Sequence, residues 1–375
     1  MRFLHTADWQ IGMKASHVGE AGSRLREERL DAARRIIEAA GSAAADFILI
    51  AGDTFEDNGV DRILVQKVAD ILSGFSGPVY IIPGNHDPLL PGSVWEHPAW
   101  IATANVHVLR EEKAVEIPGG ILYPCPVKAK RSGMDPIAWI PPNEGEGIRI
   151  GLAHGTVEGI QIEEPDYPIA RDAATHHELD YIALGHWHSI TLYPGPTGSV
   201  RMAYPGTHET TKFGERDSGN ALIVEIVSPG SDPMVTPVRT GGFVWLRMEE
   251  ELRAPGDVAG VRKRIEEMAT PGTMLLEVQL RGLLWPLDRG EIIHLQEILA
   301  SRFLWSRLDT TSIRPAPEDE SWTESLPPGF LRDAAARLRT LSDPAYPGQR
   351  PEGTTPEVAV RALLELYTII GDGPR

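Results

Sequence analysis

Short apolar runs alternate with amphipathic stretches along the first hundred residues of the chain. "RFLHTAD", "FILIAGD" and "VYIIPGNHD" have the length of strands, and between them Leu25–Ala45 and Val60–Gly74 carry apolar residues at helical spacing. Strands joined by helical crossovers predict a largely parallel sheet with helices on its faces. Beyond it, "VHVLRE", "AVEIPGGILYPCPV", "IRIGLAHG", "YIALGHWH", "VRMAYPG" and "ALIVEIV" follow with little helix between several of them. They predict a second sheet with antiparallel pairing, packed on the first. The expected fold class is α/β, a four-layer α/β/β/α sandwich.

A break falls at "SPGSDPMVTPVRTGG", Ser228 to Gly242, rich in Pro, Gly and Ser. After it, "FVWLRMEEEL", a helical pattern over Val258–Met268, "TMLLEVQLRG" and a second helical pattern over Arg289–Arg302 give a compact β-α-β-α unit. From Pro315 the chain turns Pro- and acid-rich, with helices expected at Gly329–Leu341 and Pro356–Ile370 and a flexible linker, "SDPAYPGQRPEGTT", between them. Domains are therefore expected at 1–240, 241–314 (small, α+β) and 315–375 (a helical tail). In the last helix Thr355 can cap and Pro356 suits the first helical position. Arg361, Glu365 and Thr368 form a polar stripe opposite Ala359, Leu363, Leu366 and Ile370, a face expected to dock on its own domain or on a partner.

Composition narrows the function classes. At 375 residues, 42% hydrophobic and 24% charged, the body is that of a folded globular protein. The single cysteine, Cys125, excludes an intrachain disulfide framework and a cysteine-rich zinc cluster. No apolar run approaches the length of a membrane span, so a cytoplasmic protein is expected. The net charge of −17 argues against a general nucleic-acid-coating surface. Any nucleic acid must be met locally, through bound cations, a partner, or a patch such as "VKAKRSG" with Lys128, Lys130 and Arg131, the candidate substrate-binding residues.

The chemistry lies where the strands stop. Asp8 follows "RFLHTA", Asp53 follows "FILIAG", Asn85 and His86 follow "VYIIPG", His154 follows "IRIGLA", and His186 and His188 follow "YIALG". The carboxyl ends of parallel strands share one edge, the usual ligand-binding edge of an α/β sheet, so these side chains can converge. Carboxylate, amide and imidazole donors together suit manganese, iron or zinc better than calcium. A "GD" or an "HG" alone is commonplace in turns. "GNHD" and "GHWH" are far more specific, and polar, titratable groups at five strand ends have no reason in folding alone.

"ADWQIG", "AGDTFEDN", "PGNHD", "AHG" and "GHWH", in this order, resemble the five blocks of the calcineurin-like metallophosphoesterases. The opening "FLHTADW", the segment "AYPGTHETTKFGE" and the small β-α domain resemble, within that superfamily, the SbcD or meiotic recombination eleven family of double-strand-break repair nucleases. The resemblance implies two divalent ions, most simply Mn²⁺ with Mg²⁺ as the alternative. It assigns Asp8, residue 10, Asp53 and His188 to one ion and Asp53, Asn85, His154 and His186 to the other. Asp53 would bridge ions roughly 3.5–4 Å apart. His86 is implied as the residue acting on the phosphorus centre or the leaving oxygen, with an orienting role as its alternative. DNA as substrate, an SMC-like ATPase of the SbcC type gripped by the C-terminal helices, and a homodimer are implied as partners.

Two positions depart from the family. Position 10 is glutamine where the family has histidine; its neutral carbonyl reaches about as far as an imidazole nitrogen and suits Mn²⁺ or Mg²⁺ better than zinc. Glu56 stands where some relatives carry histidine after "GDxF". The expected activity is 3′ to 5′ exonuclease action on duplex ends and endonuclease action on single strands. Its rivals are a phosphatase or cyclic-nucleotide phosphodiesterase on small phosphoesters, and a catalytically weakened DNA-binding scaffold.

Overall fold

Every residue of the runs Phe47–Ala51, Val79–Ile82, Ile148–His154 and Tyr181–Gly185 is buried, the pattern of strands covered on both faces. The computed structural model describes residues 1–142, 147–160, 166–196, 198–316 and 322–371. The chain divides into two compact units, Met1–Trp245 and Leu246–Arg375.

The first unit runs β1 (Arg2–Thr6), α1 (Gly22–Ser42), β2 (Phe47–Ala51), α2 (Arg62–Leu72), β3 (Val79–Ile82), α3 (Ala99–Ala102) and β4 (Val106–Val108). Next come β5 (Val115–Ile117), β6 (Gly120–Cys125), β7 (Ile148–His154), the two-residue pair β8 (Thr156–Val157) and β9 (Pro168–Ile169), and α4 (Ala173–His176). It closes with β10 (Tyr181–Gly185), β11 (Ile190–Pro194), β12 (Val200–Pro205), β13 (Asn220–Glu225) and β14 (Met234–Arg239). One six-stranded sheet has the order β14-β13-β1-β2-β3-β4 and the other β11-β12-β10-β7-β6-β5.

The sheets pack face to face. Phe3, Phe47, Leu49, Tyr80 and Ile82 from the first meet Ile150, Leu152, Tyr181 and Ala183 from the second. The alternate residues Leu4, Ile48, Ile50 and Ile81 point outward onto Leu30, Ala33 and Ile36 of α1 and Val65 and Val68 of α2. The outer face of the second sheet is covered by α4 and by irregular chain carrying Ile137 and Ile140. The fourth layer of the sandwich is thus thin.

Three strand placements differ from the sequence expectation. Antiparallel pairing in the second sheet is confined to its edges, β11–β12 and β5–β6, while β12, β10, β7 and β6 are parallel. "VHVLRE" and "ALIVEIV" belong to the first sheet as β4 and β13, the latter antiparallel to β1. The supposed break contains β14, paired to β13, because a Pro-containing strand is tolerated at a sheet edge. Helix ends move as well: α1 begins at Gly22 and ends at Ser42, and α2, capped by the Asp61 side chain on the Ile63 amide, spans Arg62–Leu72.

The second unit holds all of β15 (Val244–Leu252) from Leu246 onward, and β15, β16 (Met274–Leu284) and β17 (Trp305–Pro315) form a sheet in that order, with β16 and β17 parallel. The strand β17 was missing from the expected β-α-β-α unit. Val258, Val261 and Ile265 of α5 (Asp257–Glu266) and Leu295 and Leu299 of α6 (Arg289–Arg302) pack on Leu276, Val278 and Leu280. The acid-rich stretch 317–321 lies outside the described residues. Beyond it come α7 (Trp322–Ser325), α8 (Phe330–Ser342) and α9 (Pro356–Gly371). Ala359 and Leu363 of α9 are buried in this unit near Trp322 and Ala335, and the Tyr367 hydroxyl donates to the Pro315 carbonyl at 2.8 Å. The expected flexible linker is tied back, with Arg350 donating to the Leu341 carbonyl at 3.2 Å and lying over the Tyr346 ring. No helix among the described residues is long and apolar enough to cross a membrane.

Candidate metal centre

The parallel strands deliver their carboxyl ends to one edge. β1, β2 and β3 of one sheet lead to Asp8, Asp53 and Asn85–His86, and β7 and β10 of the other lead to His154 and His186–His188. At this edge the sheets meet backbone to backbone. A Cβ on Gly185 would lie 1.8 Å from the Ala51 carbonyl oxygen, and one on Gly84 would lie 2.2 Å from Asp53 Oδ1, so neither position admits a side chain.

Ten non-glycine residues among those described have positive φ, and four belong here: Asp8 (54°), Gln10 (42°), Asp53 (50°) and His186 (106°). Each costs about 1–3 kcal/mol and persists only where its surroundings enforce it, a concentration typical of functional sites. The enforcement is visible. Beyond β1 the Asp8, Gln10 and Ile11 amides donate to the carbonyls of Gly52, Asp53 and Thr54, at 3.1, 2.9 and 3.0 Å.

The side chains converge in two groups. In the first, Asn85 Oδ1 lies 2.7 Å from His154 Nε2 and 3.1 Å from His186 Nδ1, and His154 Nε2 lies 3.4 Å from Asp53 Oδ2. In the second, Gln10 Nε2 lies 3.2 Å from His188 Nε2. Beside it, both Asp8 carboxylate oxygens accept from the His186 amide at 3.0 Å. Asp8, Asp53 and His154 each offer a ligand atom within 4.8 Å of the others.

These separations fit a divalent ion. Adjacent ligands at about 2.1 Å on an octahedral cation stand about 3 Å apart, the spacing between Asn85 Oδ1 and the two histidine nitrogens. His154 Nδ1 donates to the Ala51 carbonyl at 2.8 Å, so neutral His154 turns a lone pair toward the Asn85 oxygen. Two lone pairs at that distance require a proton or a cation between them.

Burial and charge shift the titrations accordingly. Burial raises Asp8 to about 6, against the pull of His154 and His188. Burial would lower His154, but the charge and hydrogen bond of Asp53 outweigh it and raise His154 to about 9. Asp53 moves oppositely: burial opposes ionisation, yet His154 holds it below the usual carboxylate range. His186 is lowered to about 3 by burial and by the neighbouring His154. Divalent cations would replace the protons at Asp8 and His154.

Several supporting residues escaped the reading of the sequence. Glu215 accepts from His188 Nδ1 at 2.7 Å and from the Thr211 amide at 2.8 Å, which fixes the imidazole with Nε2 toward the site. Asp87 accepts from the Phe55 and Gly84 amides at 2.9 and 2.7 Å, tying the Asp53 loop to the Asn85 loop; burial, with Asp53 nearby, raises it to about 7. Arg29 on α1 is buried and donates to the Trp9 and Glu209 carbonyls, each at 2.9 Å. Its guanidinium binds the loop after β1 to the "THETTKFGE" segment. For Arg29 a signal existed: it sits four residues after Leu25 and four before Ala33, on the apolar stripe of the helix.

The remaining predicted residues fall as follows. His86 donates from Nδ1 to the Glu56 carbonyl at 3.0 Å, and its amide donates to Asp53 Oδ1 at 2.8 Å. Glu56 is half-buried, and burial raises its pKa. Lys128, Lys130 and Arg131 are exposed, and Lys128 is paired with Glu112 at 2.8 Å. Their loop follows Val127, which exchanges backbone hydrogen bonds with Pro83 and Leu89 on either side of Asn85–His86.

The calcineurin-like phosphoesterase family matches residues 1–189. The "Uncharacterized metallophosphoesterase YhaO" of Bacillus subtilis (strain 168) is 25% identical over 360 residues, covering 88% of this chain and 85% of its own. The "DNA double-strand break repair protein Mre11" of Methanococcus maripaludis is 24% identical over 240 residues, 57% of this chain and 59% of the relative. Among solved structures, TT1561 of Thermus thermophilus aligns over 64% of this chain and 98% of its own, at 13% identity and a TM-score of 0.41.

Proposed function

This chain belongs to the calcineurin-like phosphoesterase family, hydrolases of phosphoester bonds that use divalent metals, and from that premise we propose that it is a Mn²⁺-dependent DNA nuclease. It would resect duplex ends 3′ to 5′ and cut single strands, in DNA end processing. The observation that carries this reading is the convergence of Asp8, Gln10, Asp53, Asn85, His154, His186 and His188 from both sheets. The partial likeness to the archaeal repair protein, 57% of this chain, supports DNA as the substrate.

Two cations held there supply Lewis-acid polarisation of the phosphodiester and ionise a water near neutral pH. The chain's own part is positional. Asp53 places one oxygen by His154 and accepts from the His86 amide with the other, which orients the carboxylate that would hold a cation. His86 commits Nδ1 to the Glu56 carbonyl, so only its imidazolium form, with a second proton on Nε2, would give a proton to the leaving oxygen, and the ring would be left neutral. As the family resemblance implies, residues 241–314 would be a DNA-guiding domain. On α9, Val358 and Ile369 are exposed on one flank and Val360 and Leu364 on the other, and an SMC-like ATPase that gripped this helix would also supply basic surface to a chain of net charge −17.

End-labelled duplex and single-stranded DNA, incubated with the full chain across a Mn²⁺ titration, tests the reading. Wild type should cut both, and His86→Ala should be slower by about 100- to 10,000-fold. Turnover of bis(p-nitrophenyl) phosphate with intact DNA would instead assign the site to small phosphoesters.

A further inference from the structure

The segment that grips His188 also walls a cleft beside the metal centre. It measures about 360 Å³ and is lined by His186, Trp187, His188, Lys212, Phe213 and Glu215, with Ser189 and Gly214 between them. Its histidine side includes His186 and His188 of the donor groups already described, so a group next to a phosphate held there can enter this space. Its other walls are aromatic. Trp187 is half-buried, with one side on the core of the second sheet, and Phe213 is half-buried and braced edge-to-face by Trp245 at 4.9 Å. His17 packs on that indole in turn, at 5.8 Å. Phe213 is thereby held in place before any ligand arrives.

The charged residues that line the cleft are balanced, one lysine and one glutamate, in a chain of net charge −17. Glu215 is the one acid among its lining residues, and both its oxygens are engaged, Oε1 by His188 and Oε2 by the Thr211 amide. Exposed Lys212 adds a cation at the rim. Aromatic side chains in its lining, an acid whose oxygens are both engaged and a lysine fit a planar, π-faced group carried on a phosphate, and the volume is that of a single small-ligand site.

Resting on the nuclease reading above, we propose that this cleft takes the nucleobase adjoining the scissile phosphate, stacked against Phe213 and Trp187, with Lys212 contacting the flanking phosphate. The substrate class is then nucleotidyl phosphodiesters with an unpaired or peeled-away base, recognised by the face of the base and not by its edge. Sequence preference should accordingly be weak, since every base has a π-face.

Calorimetric binding of thymidine 5′-monophosphate and of 2-deoxyribose 5-phosphate to the full chain in Mg²⁺ tests it, because the two ligands differ only in the base. Wild type should bind the nucleotide about 5- to 100-fold more tightly. Phe213→Ala should erase the difference, and Phe213→Trp should keep it. Equal binding of the two by wild type, a preference that survives Phe213→Ala, or no binding of either at millimolar concentration would overturn the proposal. Parallel DNA cleavage separates the two readings. A base preference without DNA cleavage leaves the cleft standing and removes the nuclease; cleavage without a base preference removes the cleft alone.

Discussion

On one side of Asp53 the donors are Asn85, His154 and His186; on the other they are Asp8, Gln10 and His188. The first group is rich in nitrogen and closely assembled, with Asn85 Oδ1 within 3.1 Å of both imidazoles. The second contains one imidazole and two oxygen-bearing side chains, which favours a harder ion such as Mn²⁺ or Mg²⁺. The supports differ too: a backbone carbonyl, Ala51, orients His154, whereas a carboxylate, Glu215, orients His188. A carboxylate partner raises the basicity of its imidazole, and burial is outweighed so that the His188 pKa rises. Glu215 thus offsets, through His188, part of what the neutral Gln10 amide withholds from the same half.

The largest test of this contrast is to remove the anchor of the nitrogen-rich half. His154→Ala should lower DNA cleavage by about 1,000-fold or more, the equivalent of about 4 kcal/mol, and reduce the bound ions from two to one per chain. Retention of both ions by elemental analysis would show that His154 is not a ligand. A smaller effect is expected from the support of the other half. Glu215→Gln should weaken the oxygen-rich site alone by about 10- to 100-fold, read as a shift in one of two Mn²⁺ binding steps. Equal shifts in both steps would dissolve the distinction.

Smaller still is the response to pH. His154, raised to about 9, carries its proton at neutral pH without metal and must shed it to ligate. Protons and cations therefore compete. Mn²⁺ affinity of the nitrogen-rich half should rise about tenfold per pH unit up to about 9, then level off. At the oxygen-rich half the competing proton is that of Asp8, so its affinity should fall as pH drops below about 6. Calorimetry at pH 6.5, 7.5 and 8.5 that gave one affinity would contradict this.

The legible part of the site was the part written at strand ends. Polar, titratable residues after "FILIAG" or "YIALG" stand out because the preceding run fixes where they emerge. Glu215, Asp87 and Glu209 sit in loops, where no period assigns a direction to a side chain. Their function appears only when the loops close on the histidines and backbone amides they hold. Among fold elements, the apolar runs marked the buried strands well. Their sheet membership was another matter: β13 pairs with β1 across more than two hundred residues, and nothing in "ALIVEIV" records that partner. The parallel centre of the second sheet was misread because its connections contain little helix, removing the alternation that announces a crossover.

Equilibrium Mn²⁺ titration of the metal-stripped full chain, beside its Gln10→His variant, bears most directly on the paired and unequal centre. Two ions per wild-type chain are expected, with the weaker tightened about tenfold by Gln10→His and the stronger unchanged. A single ion in both proteins, or two steps that the substitution leaves where they were, would contradict the assignment of Gln10 to a metal site of its own half.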